Sequence, residues 1–152
     1  MRFFVLALGL AVSGCVDVAT SPVEVAASVQ AGAPQAHYET FPAALFAGMS
    51  YSCSEPGQTL VRPNANEIRC ESYLEPDATA GAILEFNGTV DNLPKFVLSL
   101  ISQPASSGYV VTADTYLRVP NPNGQVAKVR FEDREVTQDL HELFELTGGR
   151  PL

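Results

Sequence analysis

The chain has no long hydrophobic run, few histidines and no clustered positive charge along its sequence, and each shortage excludes something. Its longest apolar run, Phe3 to Val12, is about ten residues, well short of the ~20 that a membrane-spanning helix requires. Only two histidines are present, His37 and His141, whereas a zinc site takes at least three protein ligands. Nine Lys and Arg stand against 17 Asp and Glu, for a formal charge of −8. The basic residues Arg62, Arg69, Lys95, Arg118, Lys128 and Arg130 are scattered singly along the chain. A nucleic-acid partner is therefore not expected, because a phosphate-binding surface needs clustered cations. The same scatter leaves no polybasic run for anionic lipid.

The motifs of catalysis are missing as well. No GxSxG elbow positions a serine nucleophile, and neither a P-loop nor GxGxxG follows a strand. The stretch His141-Glu142-Leu143-Phe144-Glu145 is HExxH with its second histidine replaced by glutamate. On a helix, His141 and Glu145 share a side with Arg134 and Gln138, which reads as a solvated face. Asp114, mid-strand beside Thr112 and Tyr116, reads as an exposed lone carboxylate. No enzyme, cofactor or metal site is expected.

What the chain does have begins at its N-terminus. Arg2 followed by Phe3 to Val12 has the charge and apolar run of a secretory signal. The run ends in Val12-Ser13-Gly14-Cys15, which resembles the lipobox of bacterial lipoproteins at all four positions. That resemblance implies acylation of the Cys15 sulfur and cleavage just before it. Two or three acyl chains hold far more firmly than one, at ~0.8 kcal/mol per buried CH₂. Removal of residues 1–14 leaves 138 of the 152 and, with the loss of Arg2, moves the charge from −8 to −9. In that class an aspartate directly after the cysteine often retains the protein at the inner membrane. Here Val16 follows, so an outer-membrane anchor facing the periplasm is expected.

With Cys15 taken by lipid, Cys53 and Cys70 remain as an even pair in an oxidising compartment, and a disulfide between them is expected. Two periodicities agree with it. Leu45, Met49 and Cys53 fall on one face of a helix opened by Thr40 as N-cap and Pro42 in the first turn. Ile68, Cys70, Ser72 and Leu74 alternate with Glu67, Arg69, Glu71 and Tyr73 in a strand, placing Cys70 inward.

The rest of the chain organises around that pair. Residues 15–36, rich in Ala, Ser, Val and Pro, form a lipidated tether, although the alternation of Val23, Val25, Ala27 and Val29 also fits an edge strand. Residues 37–152 form one domain. Strands are expected at 59–62, 67–74, 81–89, 109–119 and 126–132. The segment 92–102 fits either a helix or a buried central strand, with the strand favoured. Asn121-Pro122-Asn123-Gly124 is a hairpin turn, and Asp133 caps a final helix with Val136, Leu140, Leu143 and Phe144 as its apolar stripe. The fold class is α+β: an antiparallel sheet of five to six strands with an N-terminal and a C-terminal helix packed on one face.

The functional expectation is a non-enzymatic, periplasm-facing lipoprotein domain that binds or scaffolds an envelope protein. The alternative rests on Tyr51-Ser52-Cys53, Gly57-Gln58-Thr59-Leu60 and Ala105-Ser106-Ser107-Gly108-Tyr109. Together these look like membrane-bound lysozyme inhibitors, lipoproteins whose Ser-Gly loop enters the lysozyme cleft. The resemblance implicates the loop from Ser106 to Tyr109, with Ser107 and Tyr109 at its centre. It departs from the family in the early position of Cys70 and in the C-terminal helix.

Overall fold

The computed structural model describes residues 32–152. The expected signal peptide, Cys15 and the expected tether up to residue 31 lie outside the described residues. The elements run β1 (Gln35–Tyr38), α1 (Ala43–Ser52), β2 (Gln58–Asn64), β3 (Glu67–Tyr73), α2 (Pro76–Glu85), β4 (Lys95–Pro104), β5 (Tyr109–Pro120), β6 (Val126–Val129), α3 (Arg134–Leu146) and β7 (Arg150–Pro151). All strand pairings are antiparallel, in the order β2-β3-β4-β5-β1-β7, with β6 on the remaining length of β5. The class is α+β.

The sheet has seven strands rather than five to six. The additions are β1, with four residues, and β7, with two, both too short to carry a readable alternation. β1 opens at Gln35, so the sheet already includes the last two residues assigned to the tether.

Residues 81–89 do not form the expected strand. They belong largely to α2, whose start is marked by Pro76 in the first turn and by Asp77 near the positive end of the helix dipole. The apolar run there misleads because Leu84 is exposed and only Ala82 is buried. α1 begins at Ala43 with Pro42 in the N-cap position and no side-chain cap, so Thr40 lies outside it.

Elsewhere local chemistry and structure agree. β4 is a central strand buried from both sides, which is why its sequence is a continuous apolar run rather than an alternating one. In the β5–β6 turn Asn121 donates to the Gln125 carbonyl at 2.8 Å, and Gly124 takes φ +81°. Asp133 caps α3, accepting from the backbone of Glu135 at 2.9 Å and of Val136 at 3.2 Å.

One core joins these elements. Leu45, Phe46 and Met49 of α1, Cys53 just after it and Leu140 and Phe144 of α3 form one buried cluster with Ala36, Tyr38, Ile68, Cys70, Leu100, Val111 and Ala113 of the sheet. The Tyr38 ring stands edge-on to Phe144 at 6.5 Å, and its hydroxyl pairs with Thr147 Oγ1 at 2.8 Å. The Cys53–Cys70 disulfide ties the end of α1 to the middle of β3, with Cα atoms 5.7 Å apart.

The β4–β5 hairpin depends on Gly108, whose φ is +90° and whose missing side chain leaves room for the Tyr38 carbonyl. Gly108→Ala is expected to cost about 2 kcal/mol, from left-handed strain and a backbone clash together. Denaturant unfolding of the variant measures it, and a midpoint equal to wild type would contradict the account.

Candidate functional site

In β3, β4, β5 and β6 successive side chains point to opposite sides of the sheet. One set, including Ile68, Cys70, Leu100 and Ala113, enters the core. The other set carries most of the charge, and antiparallel register arranges it in rows. Arg69, Ser99 and Asp114 stand opposite one another, as do Glu71, Val97 and Tyr116. A third row runs across four strands: Tyr73, Lys95, Arg118 and Lys128.

The cations that are scattered in the sequence are therefore gathered in space. Arg69, Lys95, Arg118, Lys128 and Arg130 are five of the nine Lys and Arg, and only three carboxylates, Glu67, Glu71 and Asp114, lie among them. Two chain neighbours along a strand are two residues apart in sequence, but neighbours across it are 10 to 30 apart (Arg118–Lys128, Arg69–Ser99). A linear reading cannot see that cluster without the register.

The carboxylates are already engaged. Asp114 is not an exposed lone carboxylate but 2% exposed, and Arg130 grips both its oxygens at 2.8 and 2.7 Å. The chain beyond β6 brings Arg130 back over β5, which no periodicity within β5 announces. Glu67 accepts from Arg69 Nε at 2.6 Å and from Ser99 Oγ at 3.3 Å. Glu71 accepts from Lys95 Nζ at 3.1 Å.

Tyr116 lies at the centre and is 2% exposed. Lys128 Nζ sits 5.0 Å and Arg130 Cζ 5.7 Å from its ring centroid, a cation–π arrangement that is stronger away from water. Burial pushes its phenol above the ordinary 10.0; Arg69 opposes the shift, while Asp114, Glu67 and Glu71 reinforce it. The phenol is thus protonated at neutral pH and serves as a platform rather than a base. Hydrogen bonding to Asp114 raises the Arg130 guanidinium further, so it stays charged.

A cleft of about 390 Å³ opens where β5 passes from β1 to β6, lined by Pro34, Ala113, Asp114, Phe131, Val136 and Leu140 among others. Phe131 is half exposed at its rim.

The other residues singled out in the sequence are dispersed. Cys53 and Cys70 are joined in the core. Ser106 and Ser107 are exposed at the tip of the β4–β5 turn, which Ala105 closes by donating to the Gly108 carbonyl at 2.9 Å. The Ser107 carbonyl is held by His37 Nε2. Tyr109 is not presented beside the serines: its ring stands edge-on to Phe41 at 5.7 Å. His141 and Glu145 lie on α3, half-buried and exposed respectively. Among the described residues no group of three or more His, Cys, Asp and Glu side chains is placed to hold a metal ion. No helix among them is long and apolar enough to cross a membrane.

No family model, curated protein or solved structure matches this chain.

Tyr38 and Tyr116 supply a pH prediction. Burial raises the Tyr38 phenol too, against a smaller opposing effect of the Thr147 hydrogen bond. A raised folded-state value means that the unfolded chain loses these protons first. Stability is therefore full below pH 10.0 and falls as pH rises from there through the folded-state values. In an alkaline titration these two phenolates should appear at higher pH in the folded protein than in the unfolded chain. In Tyr116→Phe the stability decline above that pH should be shallower; an unchanged slope would remove Tyr116 as a cause.

Proposed function

We propose that this chain is an exported, lipid-anchored envelope protein whose domain works by binding an envelope component rather than by catalysis. The observation that carries the binding reading is the charged sheet face around Tyr116 and Arg118. In the arrangement proposed, α1 and α3 lie together over the opposite sheet face, a placement supported by their shared core with Ile68, Cys70 and Leu100. On the charged face Asp114 and Tyr116 are buried, while the row with Tyr73, Lys95 and Arg118 keeps some exposure and is the part proposed to meet a partner. Its side chains are held in place by ion pairs and ring contacts, so little conformational entropy is lost when a ligand arrives.

The compartment is supported by chemistry at both ends of the argument. Val12-Ser13-Gly14-Cys15 supplies the export and acylation signal, and the Cys53–Cys70 bond persists where thiols are oxidised. The anchor at Cys15 places the domain at the outer membrane, facing the periplasm. Its partner there is an envelope molecule, with no role for nucleic acid.

The test is fractionation of cells expressing the full chain. Wild type should sediment with membranes, and Cys15→Ser should move to the soluble fraction with its Cys53–Cys70 bond intact. A Cys15→Ser protein that stays on membranes would sink the anchor. If affinity capture from solubilised envelopes recovers the same molecules with Lys128→Gln and Arg118→Gln variants as with wild type, the face is not the binding surface. Excess purified protein added to lysozyme also settles the alternative role of the Ser106–Tyr109 loop.

A further inference from the structure

The row Tyr73–Lys95–Arg118–Lys128 has an internal imbalance centred on Arg118. Cross-strand register sets Lys95 directly opposite Arg118, and Arg118 directly opposite Lys128. Side chains so paired have Cβ atoms about 5 Å apart, and like charges in that position are destabilising. Three consecutive cations across a sheet are thus an arrangement that folding alone disfavours.

The two lysines have compensation. Lys95 donates to Glu71 at 3.1 Å and lies 5.0 Å from the Tyr73 ring centroid. Lys128 lies 5.0 Å from the Tyr116 ring centroid. The Arg118 side chain, between them, is half-buried and has no hydrogen bond or ion pair to any described residue. A guanidinium carries five N–H donors in a rigid fork. Partial burial beside two further cations, with no acceptor, leaves those donors poorly satisfied.

We propose that this row is a binding site for a phosphate group, with Arg118 as its central ligand and Lys95 and Lys128 on either side. The inference deepens the reading of the charged face as a binding surface and rests on it. A planar fork accepts a phosphate bidentately. The flanking lysines stand on strands ~4.8 Å to each side, and their long stems can bring ammonium groups to the remaining oxygens of a tetrahedral anion. A planar carboxylate lacks these, because the fork alone occupies its two oxygens. Tyr73, 55% exposed at one end of the row, offers an aromatic wall to whatever the phosphate carries. A bound dianion converts the repulsion among the three cations into attraction, so the ligand repays a cost already present in the free protein. The neighbouring carboxylate, Glu71, is held on Lys95 and lies one row away from Arg118.

The phosphate could belong to a soluble ester or to a lipid headgroup, and two probes separate these. The purified full chain is titrated calorimetrically with inorganic phosphate and, separately, with glycerophosphoglycerol, the soluble headgroup of an anionic phospholipid. Saturable binding is expected, weakening as salt is added. Arg118→Gln is expected to weaken it at least about tenfold, and Lys128→Gln by a smaller factor. Arg62→Gln, whose side chain hydrogen-bonds Ser50 of α1, should leave it unchanged.

Tighter binding of inorganic phosphate assigns the site to soluble phosphate esters; tighter binding of glycerophosphoglycerol assigns it to a lipid headgroup. Unfolding without ligand supplies a control that a purely structural arginine would fail: Arg118→Gln should be at least as stable as wild type, because a like-charge contact is removed. No saturable binding of either probe, equal binding by Arg118→Gln, or a clear loss of ligand-free stability in that variant overturns the inference. None of these results alters the membrane fractionation of Cys15→Ser, so failure of the site and failure of the anchor are distinguishable.

Discussion

Cys70→Ser should lower the unfolding free energy by about 3 kcal/mol, within a range of roughly 2–5 for loss of a native disulfide in a small domain. The bond closes a loop of 17 residues, for which chain entropy alone accounts for ~3 kcal/mol. The bridge joins elements that otherwise meet over a small area: α1 is ten residues long and contributes Leu45, Phe46 and Met49 to the core. In the variant a serine hydroxyl and the Cys53 thiol are left among apolar side chains, since both positions are under 10% exposed. Denaturant unfolding of wild type with and without reductant, alongside Cys70→Ser and Cys53→Ser, measures the effect. The reduced wild type and both variants should converge on one midpoint. A reduced protein as stable as the oxidised one would show that the bridge is decoration.

Asp114→Ala should be nearly as damaging, at about 2–4 kcal/mol. Removing one partner of a fully buried ion pair costs about 3–5 kcal/mol because the other charge is left unpaired. Arg130 retains some contact with water, its side chain being 20% exposed against 2% for Asp114, which moderates that figure. The loss is predicted to be non-additive. Arg130→Met alone strands the Asp114 carboxylate and is expected to be harmful. The double variant Asp114→Ala with Arg130→Met should recover part of the stability, since neither charge is then orphaned. A double variant that equals the sum of the singles would mean that the pair does not act as a unit. The same substitutions should loosen the seat of Lys128, because Arg130 and Lys128 share the Tyr116 ring.

These predictions depend on features of unequal visibility in the sequence. The disulfide was readable from periodicity: a cysteine on the apolar stripe of a helix and another on the inward side of a strand need no topology to be paired. The Asp133 cap and the Asn-Gly turn were readable because both are decided within four or five residues. α2 was misread as a strand because Ile83, Leu84 and Phe86 look like a buried run, whereas Leu84 is left exposed. Burial of a given apolar residue depends on what packs above it, and local pattern carries no information on that. β1 and β7 escaped notice because elements of four and two residues take their conformation from the strands they join.

The charged face belongs to the second kind. Alternation in β5 places Thr112, Asp114, Tyr116 and Arg118 on one side, and that much follows from a period of two. Their neighbours do not follow from it. Arg69 reaches Asp114 through Ser99 of β4, and Arg130 arrives from beyond β6, so the site is assembled by register between residues 61 positions apart in the chain (Arg69, Arg130). A shift of one residue in any pairing would send these side chains to the core and the core residues to solvent. By itself, then, the sequence determined the local decisions: the cysteine pair, the caps and turns, and which side of each strand is polar. Only the tertiary structure decided that the scattered cations form a row with Arg118 at its centre, because strand order and register are set by the burial of the whole sheet rather than by any one segment.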